Sequence, residues 1–189
     1  KADENSSILK KLSLKDKPFI LTTIHRKQNT DDANRLQVIF DSLVKVVKQN
    51  NIDIVLPIHP RTRKMLINLN KKSFSEIENN KQIQIIDPVP FLDMISLEKN
   101  ASLIITDSGG VQKEAYFFKK PCVILRPETE WIEVIESGVG VLADANEEKI
   151  LESVKIFLKD ELSYPPIFGD GKAAEFICRA ILRNNYKQL

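Results

Sequence analysis

Short apolar runs and helix-period stripes take turns along this chain. Residues 19–24 form a continuous apolar and threonine-rich run, the pattern of a strand buried on both faces. After Asp31 the period changes. Leu36, Ile39, Phe40, Leu43, Val44 and Val47 fall on one helical stripe that runs to Asn50. Asp31 and Asp32 stand at its amino end, where carboxylates complement the helix dipole. The same alternation predicts strands over 52–58, 82–86, 102–106, 121–125 and 139–143. Helices are predicted over 62–69, 91–99, 110–118, 130–136 and 147–159, the last with Asn146 as its cap. A Pro/Gly segment over 165–171 leads into a final amphipathic helix, 172–186, striped by Ala173, Phe176, Ile177, Ala180 and Ile181. Short strands alternating with helices imply an α/β doubly wound parallel sheet, Rossmann-like, with helices on both faces. The polar start reads as a linker over 1–16 at the cut end of a longer protein, and 17–189 as one domain.

Charge narrows the partners. The chain carries 28 basic and 26 acidic residues, well mixed, so nothing favours nucleic acid or an anionic membrane. No apolar run approaches the roughly 18 residues that span a bilayer, and no signal-peptide pattern is visible. Cys122 and Cys178 lie far apart without metal or redox spacing. Both read as buried, reduced thiols, which suits a cytoplasmic protein.

In doubly wound sheets, ligands bind outside the carboxyl ends of the strands. The residues there are His25-Arg26, His59-Pro60-Arg61, Asp87-Pro88, Asp107-Ser108-Gly109-Gly110 and Arg126-Pro127-Glu128. The fourth set carries the most information. A strand ends, two glycines follow, and a helix starts. Glycines let the backbone approach a ligand, the new helix offers free N–H groups, and Ser108 adds a hydroxyl. This pattern suits a phosphate or diphosphate; a capped strand-to-helix turn without ligand gives the same string. Neither a dinucleotide fingerprint nor a Walker A loop is present. Glu114, one helical turn on, is placed to accept hydrogen bonds from ribose hydroxyls, or is a surface helix residue. His25 is placed to stabilise charge on a departing group, or to serve structure. His59 holds the matching place after the second strand, where His-Pro also shapes a turn.

Together these segments resemble the non-hydrolysing UDP-N-acetylglucosamine 2-epimerases. The matching pieces are Thr23-Ile24-His25-Arg26-Lys27-Gln28-Asn29-Thr30, Pro57-Ile58-His59-Pro60 and Asp87-Pro88-Val89-Pro90-Phe91-Leu92. The strongest is Thr106-Asp107-Ser108-Gly109-Gly110-Val111-Gln112-Lys113-Glu114-Ala115, followed by Leu125-Arg126-Pro127-Glu128-Thr129-Glu130-Trp131. The resemblance implies one half of a GT-B two-domain fold, the carboxyl-terminal, nucleotide-binding half. It assigns Ser108, Gly109 and Gly110 to the diphosphate and Glu114 to the ribose. His25 falls near the phosphates and sugar as the candidate catalytic residue. Residues 89–94, with Val89 and Met94 at their ends, contact the uracil, and Arg126 and Trp131 complete the candidate UDP-sugar contacts. The implied reaction eliminates UDP to leave a 2-acetamidoglucal, then adds UDP back with C2 inverted. It requires no nicotinamide and no metal. The carboxylates that move the C2 proton come from the amino-terminal domain, against which the final helix packs. The full-length protein is a candidate homodimer, and bacterial surface-polysaccharide synthesis is the implied setting.

Three positions depart from the family pattern: Gln28 and Lys113, where Glu is usual, and Trp131, where an Arg binds the nucleotide sugar. Trp131 and the run His59-Pro60-Arg61-Thr62-Arg63-Lys64 resemble the branch acting on UDP-2,3-diacetamido-2,3-dideoxy-glucuronate. Trp131 equally suits packing at a domain interface. A GT-B glycosyltransferase using a UDP-sugar donor, or a nonenzymatic nucleotide-binding module, would use the same fold.

Overall fold

A computed structural model describes residues 6–69 and 76–185. Six parallel strands form one sheet in the order β3-β2-β1-β4-β5-β6. They are β1 (Phe19–Thr23), β2 (Asp53–Pro57), β3 (Ile83–Ile86), β4 (Leu103–Thr106), β5 (Cys122–Ile124) and β6 (Gly140–Leu142). The order reverses between β1 and β4, the switch point of a doubly wound sheet. Here Thr23 pairs with Thr106 at the carboxyl ends. The helices are α1 (Ile8–Lys11), α2 (Lys27–Thr30), α3 (Ala33–Asn50), α4 (Pro60–Leu69), α5 (Phe91–Asn100), α6 (Gly109–Phe117), α7 (Ile132–Glu136), α8 (Glu147–Phe157) and α9 (Ala173–Asn185).

Strand side chains alternate between two cores, because successive residues point to opposite faces. Ile20, Ile54, Leu56, Ile105 and Val123 face α3 and α8 and join Leu36, Phe40, Ile150 and Val154. Phe19, Leu21, Val55, Ile104 and Ile124 face the other way, toward Leu97 of α5 and Val111 and Ala115 of α6. All five residues of β1 are buried, which explains its unbroken apolar and threonine run. The helix starts follow local chemistry. Asp32 accepts from the Asn34 and Arg35 N–H groups at 2.9 and 3.1 Å. Asn146 accepts from Lys149 N–H at 2.9 Å. At the far end of α3, Asn51 takes the left-handed conformation (φ 49°) that lets its N–H close the helix onto the Val47 carbonyl.

Two expectations change. The segment 1–16 was expected as linker, but its described part packs on the domain: Ile8 and Leu14 are buried in the second core. The Ser6 hydroxyl donates to Asp93 at 2.6 Å. Cys178, expected buried, is exposed, whereas Cys122 is buried; both are free thiols. The reason is that no described element covers the apolar stripe of α9. Phe176, Ile177, Ile181 and Leu182 are exposed with it. Residue 186 of the expected final helix and residues 70–75 of the polar stretch before β3 lie outside the described residues. No described helix is long and apolar enough to cross a membrane.

Candidate active site

The chemistry gathers where β1 and β4 end side by side. Thr23 and Thr106 join their hydroxyls at 2.5 Å across the switch point. Thr106 Oγ1 also accepts from the Ser108 N–H at 2.9 Å, which turns the chain sharply out of the sheet. α6 begins one residue later. Ser108 is its N-cap residue, yet its hydroxyl makes no capping bond. The first N–H groups of a helix have no intrahelical acceptor. The turn therefore presents backbone donors, a hydroxyl and the positive end of a helix dipole in one place. Gly110 is exposed, and Ser108 Oγ, 3.9 Å away, is the nearest neighbour a Cβ there would meet.

Asp107, fully buried, holds this turn to the β1 loop. Its carboxylate accepts from the His25 N–H (3.0 Å), the Arg26 N–H (3.0 Å) and Asn29 Nδ2 (3.0 Å). Asn29 Nδ2 also donates to the Leu125 carbonyl at 2.9 Å, and its Oδ1 accepts from Arg35 Nε and Nη2. Arg35 in turn pairs with Asp144 beyond β6. One polar chain thus ties the loops after β1, β4, β5 and β6, and fixes His25 relative to Ser108.

His25 projects from the end of β1. Its pKa is lowered chiefly by the protein packed around it; the Asp107 charge opposes this and His59 reinforces it. Its surroundings therefore favour neutral imidazole, and a negative charge brought beside it would draw a proton onto it. His59 sits at the end of β2, its Nδ1 accepting from the Arg61 N–H at 3.2 Å.

Arg126 is 7% exposed and forks onto Glu130 with Nη1–Oε2 2.7 Å and Nη2–Oε1 2.9 Å. These bonds hold the Glu130 carboxyl down at about 2, with Arg26 contributing from 3.7 Å. Glu130 Oε2 lies 3.2 Å from where a Gly109 Cβ would stand. A carboxylate thus lies against the turn into α6, and glycine leaves it room. Trp131 donates from its indole N–H to the Gly109 carbonyl at 2.7 Å. It also packs edge-on against Phe168 and under Lys113 Nζ, which is 4.3 Å from its ring centre.

The sequence-selected residues Ser108, Gly109, Gly110, Arg126, Trp131 and His25 thus meet around one helix terminus. Glu114 lies one turn along α6 and is half-buried. Val89 and Met94 lie after β3 and in the first turn of α5, half-buried against the second core. Sequence reasoning missed Asp107 as the anchor, and Asn29 and Glu130. Asp107 and Asn29 stood in quoted motifs, but 78 residues separate them and no spacing rule joins them. Among the described residues, no three His, Cys, Asp or Glu side chains are grouped to hold a metal ion.

A model of the UDP-N-acetylglucosamine 2-epimerase family matches residues 1–182. The chain belongs to that family. It is 43% identical to a UDP-N-acetylglucosamine 2-epimerase homolog of Methanococcus maripaludis, over 96% of this chain and 49% of that protein. It is 41% identical to the UDP-2,3-diacetamido-2,3-dideoxy-D-glucuronate 2-epimerase of Pseudomonas aeruginosa, over 87% and 44%. The solved UDP-GlcNAc 2-epimerase of Methanocaldococcus jannaschii, in complex with UDP-GlcNAc and UDP, superposes with a TM-score of 0.84 at 37% identity, covering 96% of this chain and 50% of that one. The chain spans about half the length of the curated relatives it matches. Its fold is that of one half of a GT-B epimerase.

Proposed function

We propose that this chain is the UDP-binding half of a cytoplasmic UDP-N-acetylglucosamine 2-epimerase, which interconverts UDP-GlcNAc and UDP-ManNAc. The observation that carries the reading is the open start of α6 at the sheet's switch point, with an uncommitted Ser108 hydroxyl and two glycines. The diphosphate sits on Ser108, Gly109 and Gly110, where backbone donors and the helix dipole stabilise its charge. Glu114 accepts from the ribose hydroxyls, and residues 89–94 contact the uracil, largely through backbone. Arg126 and Trp131 bound the sugar side.

His25 is the catalytic group in this half. Elimination places negative charge on the departing UDP, and a protonated imidazole beside the β-phosphate lowers the cost of that charge. Re-addition reverses the step. Removal and return of the C2 proton fall to carboxylates of an amino-terminal domain, which closes the cleft over the sugar and packs on α9. The intact enzyme is a candidate homodimer.

The diacetamido-glucuronate epimerase is the second reading. Trp131 favours it, because an indole held over Gly109 replaces the cation expected there. Incubating the full-length enzyme with each UDP-sugar and following C2 inversion by proton NMR separates the two. UDP titrated into the ¹⁵N-labelled chain is expected to shift the amides of residues 106–114. Unmoved amides there would refute the site.

A further inference from the structure

Among the described residues, Glu98 is the one glutamate buried completely, at 0% exposure. It lies on α5 one turn after Met94, flanked by buried Ser96 and Leu97. Neither of its carboxyl oxygens has a hydrogen-bond donor within reach. The group acting on it is a second carboxylate, Glu114 of α6, the helix packed beside α5. Leu97, the residue before Glu98, belongs to the second core with Ile8 from α1, Ile104 from β4 and Val111 from α6. Lys10 and Lys11 of α1 and Lys99 of α5 are exposed.

Two charged carboxylates in contact repel each other and have no donor between them. Burial makes the charged form of Glu98 costlier still. One proton resolves all three problems. It belongs on Glu98, the more buried partner, and turns the contact into an O–H···O⁻ bond. Glu114, half-buried, is the acceptor of that bond.

We infer that Glu98 is a neutral carboxylic acid that donates a hydrogen bond to Glu114 and thereby aims the Glu114 carboxylate at the ribose of the nucleotide. The inference rests on the proposed assignment of the ribose to Glu114, and it makes Glu98 a positioning residue, not a contact. Burial, the Glu114 charge and the bond to Glu114 together push its pKa up to about 8, in that order of size. A charge-assisted bond of this kind is short and directional, so it fixes the rotamer of its acceptor. Met94 and Glu98 share one face of α5 at i, i+4 spacing, so the helix that touches the base would also set the ribose acceptor.

Binding of UDP and of 2′,3′-dideoxy-UDP to this chain, by calorimetry, tests it in wild type, Glu98→Gln and Glu98→Leu. Wild type is expected to prefer UDP. Glu98→Gln keeps a donor and is expected to keep that preference within about twofold. Glu98→Leu is expected to lose about tenfold in UDP affinity while dideoxy binding stays put. An unchanged preference in Glu98→Leu overturns the inference. No preference in wild type removes the ribose assignment itself, a failure visible before any variant is made. ¹³Cδ-glutamate NMR stands in if Glu98→Leu does not fold. One carboxyl resonance is expected to titrate well above the others and to vanish in Glu98→Gln. If every glutamate titrates in the ordinary range, Glu98 is charged and the inference falls.

Discussion

At the scale of single residues, the site is built from carboxylates with divided roles. Asp107 is consumed by three donors that set the β1 loop. Glu130 is consumed by Arg126. Glu98 keeps a proton. That last state has a thermodynamic consequence. A carboxyl pushed up to about 8 in the folded chain, against 4.5 for an ordinary glutamate, binds more protons folded than unfolded between those values. Its contribution is therefore fully present below pH 4.5 and is lost as pH rises through 8. Glu98→Gln carries an amide that never ionises, so the variant escapes that loss. Urea unfolding at pH 5.5 and 8.5 is expected to show a flatter dependence for the variant, which overtakes wild type by about 1–3 kcal/mol at the higher pH, the cost of a buried group left without its bond. Parallel pH dependence in the two proteins would mean that Glu98 titrates normally.

At the scale of elements, legibility followed locality. β1 announced itself because both its faces are buried, and α3 because one stripe faces one core. The turn into α6 was legible because strand, glycines and helix are contiguous. The short helices α1 and α2 were not: four residues carry no period, and α1 is held by docking Ile8 against the second core. The polar chain from Asp107 to Asp144 was invisible for the same reason, since its links join distant loops. So was the seat of the 165–171 segment. Phe168 meets Tyr116, Phe117 and Trp131 edge-on, with centroids 5.2–5.8 Å apart, and lies 4.9 Å from Lys113 Nζ. Tyr116 donates from its hydroxyl to the Pro165 carbonyl. Phe168 thus clasps this segment to α6 and backs the indole that rests on Gly109. Ring contacts of this kind contribute about 0.5–1.5 kcal/mol each. Phe168→Ala is expected to speed amide exchange across 165–171 and at Trp131 while β1 and β4 stay protected. Exchange that quickens uniformly across the sheet would instead mark Phe168 as part of the global core.

At the scale of the whole molecule, the chain is proposed as one wall of a cleft. The open start of α6 is the proposed seat of the diphosphate and Glu114 the proposed acceptor for the ribose, beside a histidine with a lowered pKa. Epimerisation further requires a base and an acid on either face of C2. Three carboxylates around the α6 terminus are spoken for: Asp107 by backbone and Asn29, Glu130 by Arg126, Glu114 by the proposed ribose. The apolar face of α9, with Phe176, Ile177, Ile181 and Leu182 exposed, is the surface proposed for the amino-terminal domain that would bring the missing groups. Binding and turnover are therefore expected to separate. The purified 189-residue chain is expected to bind UDP and to leave UDP-GlcNAc unchanged, with no deuterium from D₂O entering at C2. Deuterium exchange is the sensitive measurement, because any elimination of UDP followed by its re-addition returns a solvent deuteron to C2, whichever epimer forms. Labelling by this chain would mean that it holds a working base, and Glu130, the carboxylate against Gly109, would then be the first group to substitute.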